Sequence, residues 1–280
     1  MKIGQIKKLH SEVEHDGSVR YELPIGEQLL PLNRLLGKRL SLKATGNIFC
    51  VECGRKIKKS YNQGLCFPCC QILPQADLCQ VKPEICHFDK GTCRDPQWAE
   101  RFCFIDHTVY LAISSDLKVG ITRSFHQTTR WVDQGAVQAL PIARVATRFD
   151  SGLVEVALKK EVNDKTNWRA MLKGEVKELD LCEKRDELFA LFPETAKVQK
   201  LENEAPRRFL YPVLEYPKKV VSLNFTKNPL VSGVLHGIKG QYLIFDNGVI
   251  NIRKFSGYEV NVNSEVSASS LSNDAASLPV

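Results

Sequence analysis

Alternating apolar and polar residues predict short β-strands near both ends of the 280-residue chain. The pattern occurs over residues 19–23 and again over residues 40–48. Toward the other end, an apolar run at 220–225 predicts a strand, and the stretch 242–252 predicts a hairpin because its two apolar runs flank Asp246-Asn247-Gly248, a typical turn sequence. Since the ends of a folded chain often meet, we expect these terminal strands to pack together.

The middle of the chain predicts a second set of strands, followed by helices. Residues 108–113 and 117–122 are β-runs separated by the turn sequence Ser114-Ser115-Asp116, which predicts a hairpin. The later elements are predicted as a strand over 142–148, a helix capped by Asp150 or Ser151, and a helix over 176–191.

Between these regions lies a cluster of cysteines, with nine of the ten between Cys50 and Cys103. Two C-x2-C pairs separated by twelve residues begin the cluster: Cys50, Cys53, Cys66 and Cys69. Two cysteines three positions apart can reach one ion from a tight backbone turn, so two such pairs supply four thiolates in a tetrahedron. A disulfide framework is disfavoured because residues 1–8 lack the apolar stretch of a signal peptide. The spacing therefore predicts a zinc site.

A second set of cysteines follows at wider intervals, and it consists of Cys79, Cys86, Cys93 and Cys103. Four thiolates on a wrapped loop suit either a second zinc ion or an iron–sulfur cluster. The alternative is four small, buried apolar side chains. His87 is a candidate substitute ligand, and we interpret Cys70 and Cys182 as structural.

Composition and charge divide the chain further and indicate an anionic partner. The net charge is +7, and eight basic residues face two acidic ones between Arg207 and Lys254. No apolar run approaches the ~18 residues of a membrane span, so we expect no membrane association, and reduced thiols predict a cytoplasmic protein.

We predict an α+β fold with an N-terminal β segment (1–48), a cysteine-rich metal-binding module (49–104), a small α/β domain (105–200), a basic β-rich module (205–262) and a disordered tail (263–280).

The central hairpin carries an ordered set of polar and glycine positions. Tyr110 lies on its first strand and Gly120 on its second, Arg130 follows ten residues later, and Glu155 lies on the helix after the third strand. This order resembles the GIY-YIG nuclease superfamily, in particular a phage-type branch whose second motif reads Lys-[Ile/Val]-Gly-Ile-Thr, here residues 118–122. The resemblance covers about residues 107–170. Most of the chain also resembles a family of bacterial and archaeal proteins with the same cysteine-rich head and no known activity.

The resemblance implies a role for each of these residues. Glu155 would hold one Mg²⁺ or Mn²⁺, and Arg130 would grip the scissile phosphate. Tyr110 would orient or deprotonate water, provided that its pKa is lowered. Lys118 stands where better-known members have a second tyrosine, and a cation there would favour the phenolate of Tyr110. Gly120 is the glycine of the second motif.

Several expectations stay open at this point. The family's late asparagine has two candidates, Asn163 and Asn167, and we expect His107 and His126 to flank the cleft as solvated side chains. The first functional hypothesis is a metal-dependent phosphodiester hydrolase acting on DNA or RNA. The second is a non-catalytic, zinc-containing nucleic-acid-binding protein that keeps the nuclease fold as a scaffold. A redox or metal sensor built on the second cysteine set is a third.

Overall fold

The computed structural model describes residues 2–162 and 167–264 and has an α+β architecture. The strands are β1 (Lys2–Gln5), β2 (His10–Val13), β3 (Val19–Ile25), β4 (Gln28–Pro31), β5 (Arg39–Phe49), β6 (Lys56–Ile57), β7 (His107–Ile113), β8 (Leu117–Arg123), β9 (Gln138–Val145), β10 (Val198–Lys200), β11 (Arg207–Arg208), β12 (Leu230–Lys239), β13 (Tyr242–Phe245), β14 (Gly248–Asn251) and β15 (Tyr258–Ser264). The helices are α1 (Phe67–Ile72), α2 (Pro96–Phe102), α3 (Gln127–Asp133), α4 (Arg148–Leu158), α5 (Trp168–Leu172) and α6 (Leu181–Leu188).

Strands from both ends of the chain form one antiparallel sheet. Its order is β1-β15-β5-β12-β13-β14, and β6 extends it beside β5. The predicted strands at 19–23 and 40–48 are present as β3 and β5, and the predicted hairpin at 242–252 is β13 and β14. Because β1 pairs with β15 over four residues, the N-terminal and C-terminal strands share one hydrophobic core, in which Leu23, Leu40 and Val260 are fully buried.

A second sheet contains the predicted hairpin and is buried on both faces. Its order is β10-β9-β7-β8, with β11 also paired to β9. Along β7, Tyr110 and Ala112 join the core shared with the terminal strands, whereas Val109 and Leu111 pack in a separate core. Helix α4 covers that second core, and Val154 is one of its fully buried side chains. This two-sided burial explains the continuous apolar run of β7.

The third strand of this sheet lies four residues earlier than the sequence predicts. It spans Gln138–Val145, not 142–148, and it contains Pro141 at the point where its register with β7 shifts. Proline has no N–H to donate to the ladder, so within a sheet it is found at such irregularities and not in regular pairing. Helix α4 then begins at Arg148, and Thr147 caps it by accepting a hydrogen bond from the Asp150 N–H at 3.0 Å. The predicted caps, Asp150 and Ser151, lie inside the helix.

Three other boundaries differ from the sequence predictions. Residues 220–225, all within the described part of the chain, form only a single bridge, between Ser222 and Val249, where a strand is predicted. The helix predicted over 176–191 begins at Leu181, because Asp180 caps it by accepting from the N–H groups of Cys182 and Glu183. The predicted tail falls mostly on residues 265–280, which lie outside the described residues.

Within the described ranges, no helix is long and apolar enough to cross a membrane.

Candidate nucleic-acid cleft and metal centre

The first four cysteines converge at one point next to the terminal-strand sheet. Their sulfur atoms all lie within 4.8 Å of one another, and the Sγ atoms of Cys53 and Cys66 are 3.8 Å apart. Cys50 directly follows β5, Gly54 turns the chain with a φ of +71°, and Cys66 caps α1. These sulfur separations match a tetrahedral metal site with thiolate ligands. The four cysteines could therefore hold a metal ion such as zinc.

The protonation chemistry of these thiols fits the same conclusion. Burial raises the pKa of Cys50, but backbone N–H groups, including those of Cys53 and Cys66, outweigh it and lower that pKa to about 6. Hydrogen bonding with Cys66, together with burial, raises the pKa of Cys69 to about 12. Without a cation the cluster therefore cannot hold four negative charges so close together. A divalent ion compensates for this charge, since the thiolate is the form that binds metal.

The second set of cysteines surrounds one small, apolar cavity of about 20 Å³, lined by Cys79, Cys86, Cys93 and Cys103. Phe88 and Phe104 also line it, in edge-to-face contact with ring centroids 4.6 Å apart. Burial raises the pKa of Cys79 to about 11 and also raises the pKa of Cys103. In the described chain these four sulfurs are not all within 4.8 Å of one another, so they are spaced more widely than the first four.

His87 lies close to this cavity, within a polar network. Its imidazole Nε2 is 3.5 Å from Asp77 Oδ1. One carboxylate oxygen of Asp77, the Cys79 sulfur and one ring nitrogen of His87 all lie within 4.8 Å of one another. Asp77 is already engaged, because it forms an ion pair with Arg94 at 2.7 Å and accepts from the Cys79 N–H at 3.2 Å. These contacts explain the lowered pKa of Asp77, which burial alone would raise. The network therefore accounts for the position of His87 without a metal ion.

On the hairpin, Tyr110 lies directly across from Gly120 in the ladder between β7 and β8. The tyrosine ring is fully buried, contacts Trp131 edge-to-face at 5.8 Å, and donates its hydroxyl to Gln134 Oε1 at 3.2 Å. A Cβ at position 120 would lie 2.6 Å from the Tyr110 hydroxyl oxygen, so only glycine leaves room for the ring. Burial raises the pKa of Tyr110, although the nearby Arg130 opposes this.

Lys118 lies two residues before Gly120 on the same face of β8. It is only 4% exposed, and burial together with the charge of Arg130 lowers its pKa to about 7. Its position opposite Ala112 places it beside Tyr110 on the same sheet face. Burial therefore weakens the cationic form of Lys118, which the resemblance implies would favour the phenolate of Tyr110.

A cleft of about 660 Å³ opens beside the hairpin, and Gly120, Arg130 and Glu155 all line it. Its walls come from residues near both sets of cysteines (51–65 and 75–98), from β8, α3 and α4, and from the 3-10 turn that follows β14. Among the described residues that line it are four arginines and two glutamates: Arg123, Arg130, Arg148, Arg253, Glu52 and Glu155. Such an excess of guanidinium groups in a concave site attracts anions.

Two of these arginines donate hydrogen bonds to backbone carbonyls between Cys79 and Cys103, the region of the second set of cysteines. Arg123 donates from Nε to the Phe102 carbonyl at 2.9 Å, and its guanidinium lies 5.6 Å from the centre of the Trp98 ring. Arg148 donates from Nη2 to the Gln80 carbonyl at 2.6 Å. Guanidinium groups fixed in this way lose less conformational freedom when they bind an anion.

Other predicted residues are placed differently. Tyr110 and Lys118 are not among the cleft-lining residues that the structure describes, and lie behind the surface formed by Gly120. His126 lines the cleft, but His107 is fully buried, and its burial lowers its pKa to about 4, so the prediction of a solvated side chain is wrong for His107. Asn167 caps α5 through its side chain, away from the cleft. Asn163 lies outside the described residues.

The sequence predictions missed Asp133, which fixes α3 relative to the terminal strands. Its side chain is 5% exposed, accepts from Lys8 at 2.8 Å and from Gln241 Nε2 at 2.7 Å, and lies 3.9 Å from Arg253. Arg253 in turn donates to Gln63, which lies in the loop between Cys53 and Cys66. Partners more than one hundred positions apart leave no spacing signal in the sequence, so only the fold reveals this network.

The fold and site define an α+β protein with a four-cysteine cluster that could hold a metal ion, and with an arginine-lined cleft. The chain belongs to the DUF2797 family, described as proteins of unknown function, whose profile matches residues 37–260. That range contains both cysteine sets, the hairpin and the cleft residues. Comparison with curated proteins and with solved structures gave no match.

Proposed function

We propose that the chain is a metal-dependent phosphodiester hydrolase of the GIY-YIG type that acts on DNA or RNA. One observation carries the proposal: Gly120, Arg130 and Glu155 line a single cleft although thirty-five positions separate the first from the last. Their supporting elements follow in the order β7, β8, α3, β9, α4, so that the hairpin, the arginine helix and the glutamate helix surround one space. This order of elements and side chains supports the resemblance to that nuclease superfamily.

Substrate binding would rest on the arginines of the cleft. Each guanidinium offers paired N–H donors that match two phosphate oxygens. Arg123 and Arg148 are held in place by the carbonyls of Phe102 and Gln80, whereas Arg130 is exposed at the surface of α3. We assign Arg130 to the scissile phosphate, because it also lies near Tyr110 and Lys118.

Glu155 would hold the catalytic metal ion. Its side chain is 11% exposed, lines the cleft and forms an i,i+4 ion pair with Lys159 at 3.2 Å. Mg²⁺ is commonly bound by one or two carboxylates, with water and substrate phosphate as its other ligands, so a single glutamate fits. When bound, Mg²⁺ or Mn²⁺ would stabilise the charge that develops on the phosphate and the leaving oxygen. Lys159 would then move from Glu155 toward solvent.

Proton transfer would use Lys118 and Tyr110 in different roles. The raised pKa of Tyr110 keeps it a phenol at neutral pH, so its hydroxyl donates hydrogen bonds and orients neighbouring groups. Burial, with the charge of Arg130, lowers the pKa of Lys118 to about 7, so its amine loses a proton more readily than an exposed lysine does. An amine tuned to the working pH is a suited general base. Because Lys118 lies behind the surface formed by Gly120, we assign it proton acceptance through one intervening water.

The test uses labelled single-stranded, branched and duplex substrates with the zinc-loaded chain in Mg²⁺ or Mn²⁺. We expect cleavage by the natural chain and its loss, by at least about a hundredfold, in Glu155→Gln. Glu52→Gln is the matched control, because Glu52 lines the same cleft but is exposed. Equal cleavage by the natural chain and Glu155→Gln would reject the assigned mechanism.

A non-catalytic nucleic-acid-binding protein is the second candidate. The full burial of Tyr110 and the cation already beside Glu155 favour it. In that case the cleft binds DNA or RNA with an affinity that falls steeply with salt, and neither metal ion brings turnover.

For the metal centres, we propose zinc at the first four cysteines and a second thiolate-bound centre at Cys79, Cys86, Cys93 and Cys103. The four thiols of the second set line one cavity, where they would hold a zinc ion if they moved closer together, or an iron–sulfur cluster. Elemental analysis and a visible spectrum of anaerobically purified protein distinguish them. A metal content of one zinc per chain, unchanged by Cys86→Ser, would exclude the second centre. We place the protein in the cytoplasm, where thiols stay reduced.

A further inference from the structure

We infer that the cleft takes an unpaired segment of nucleic acid and holds one unstacked base against Trp98. This inference rests on the proposed function and deepens it, because it specifies the substrate class. The volume of about 660 Å³ is that of a site for one small organic molecule, the size class of a nucleotide. A base within a duplex stays stacked on its neighbours and cannot enter such a site unless it is turned out of the helix.

Trp98 supplies a flat face for such a base. It lies on α2, is half-buried and lines the cleft. Arg123 Cζ lies over its ring, 5.6 Å from the centroid, and the tilted Phe102 ring contacts it at 4.9 Å, so a base would stack on the part of the indole that these two leave open. An aromatic ring flanked by a guanidinium plane is a common platform for exposed bases. In this arrangement Arg123 can contact the phosphate that adjoins the stacked base.

Amide side chains surround the same space; Gln63 and Gln134 already accept through Oε1 from Arg253 and Tyr110, which leaves their Nε2 groups as donors to base edges. Of the described lining residues, five carry amides: Asn62, Gln63, Gln75, Gln80 and Gln134. Carboxamides are suited to bases because each pairs an acceptor with a donor in one plane. A cleft built only for phosphate would not need so many groups of this kind.

The loop between Cys53 and Cys66 holds two of these amides in a constrained backbone. Asn62 and Gln63 have φ angles of +37° and +64°, and in the described chain they are the non-glycine residues with left-handed backbone. Such conformations are uncommon and concentrate at functional sites. Gln63 also accepts a hydrogen bond from Arg253, so this loop is joined directly to one of the arginines of the cleft. The metal centre thereby positions part of the binding surface.

The experiment measures binding separately from cleavage by using the full zinc-loaded chain with Glu155→Gln. Fluorescence anisotropy compares a single strand of about 12 nucleotides, its duplex, and the same strand with its bases removed at central positions. We expect the single strand to bind at least about tenfold more tightly than the other two. Trp98→Ala should remove most of this preference, and Trp98→Phe should restore part of it because phenylalanine still stacks.

Trp168→Ala is the matched control, since Trp168 stacks on Tyr242 with centroids 5.8 Å apart and does not line the cleft. It should leave the preference unchanged. If duplex and single strand bind equally, or if Trp98→Ala weakens the abasic strand as much as the intact one, the inference is wrong while the proposed function stands. If no nucleic acid binds even at low salt, the proposed function fails as well.

Discussion

Replacing Gly120 by alanine tests how closely the two strands of the hairpin pack around Tyr110, behind the surface of the cleft. The added Cβ would lie 2.6 Å from the tyrosine hydroxyl oxygen and 2.7 Å from Cζ, well inside normal contact. The ring cannot move away easily, because it is fully buried and packs against Trp131. Since the backbone at Gly120 does not require a positive φ, the destabilisation is steric in origin.

Overpacking of this kind destabilises a protein by about 1–3 kcal/mol. We therefore expect Gly120→Ala to lower the free energy of unfolding by about 2 kcal/mol when residue 110 is tyrosine. In a Tyr110→Ala background the clashing ring is absent, so the same substitution should change stability by less than about 0.5 kcal/mol. Urea unfolding of the four zinc-loaded proteins, followed by circular dichroism, gives the coupling energy. Additive effects of the two substitutions would refute the close packing described above.

Three further predictions follow from buried polar groups and the metal centre. Burial lowers the pKa of Lys118 from the ordinary lysine value of 10.5 to about 7, so the unfolded chain binds this proton more tightly than the folded one. Stability should therefore rise between pH 7 and 10.5, by up to about 5 kcal/mol from this group. Thermal midpoints should rise less over that range in Lys118→Met, and equal slopes would contradict the assignment. Asp133→Ala should reduce the free energy of unfolding by about 3 kcal/mol, because Lys8 and the buried Gln241 lose their partner. Urea unfolding measures this loss, and an unchanged midpoint would show that the network is dispensable. Cys53→Ser should remove the zinc from the first site, measured by elemental analysis, and expose residues 50–70 to proteolysis, while Cys182→Ser should retain the metal.

The local features of the candidate site could be predicted from sequence because they depend on short spacings. The four-cysteine cluster needs two C-x2-C pairs, and the sulfur atoms do converge. The hairpin needs two β-runs around a polar turn, and its strands lie within one residue of the predicted boundaries. Each signal arises within a continuous stretch, residues 50–69 and 107–123.

Features that depend on distant contacts could not be predicted in this way. Pro141 weakens the strand signal of β9, yet the strand continues through it because the register shifts at that point. The run 220–225 looks like a strand, but it forms only the bridge from Ser222 to Val249. The burial that raises the pKa of Tyr110 and lowers that of Lys118 comes from two sheets packing together. Arg253 reaches the cleft only because the chain ends share a sheet.

The most direct test of the central claim is metal-dependent cleavage of a labelled single strand, compared between the natural chain and Glu155→Gln. The account predicts cleavage in Mg²⁺ or Mn²⁺ by the natural chain, its loss in Glu155→Gln, and equally tight binding of the strand by both proteins. Cleavage that is unaffected by Glu155→Gln, or a strand that binds neither protein at low salt, would contradict it.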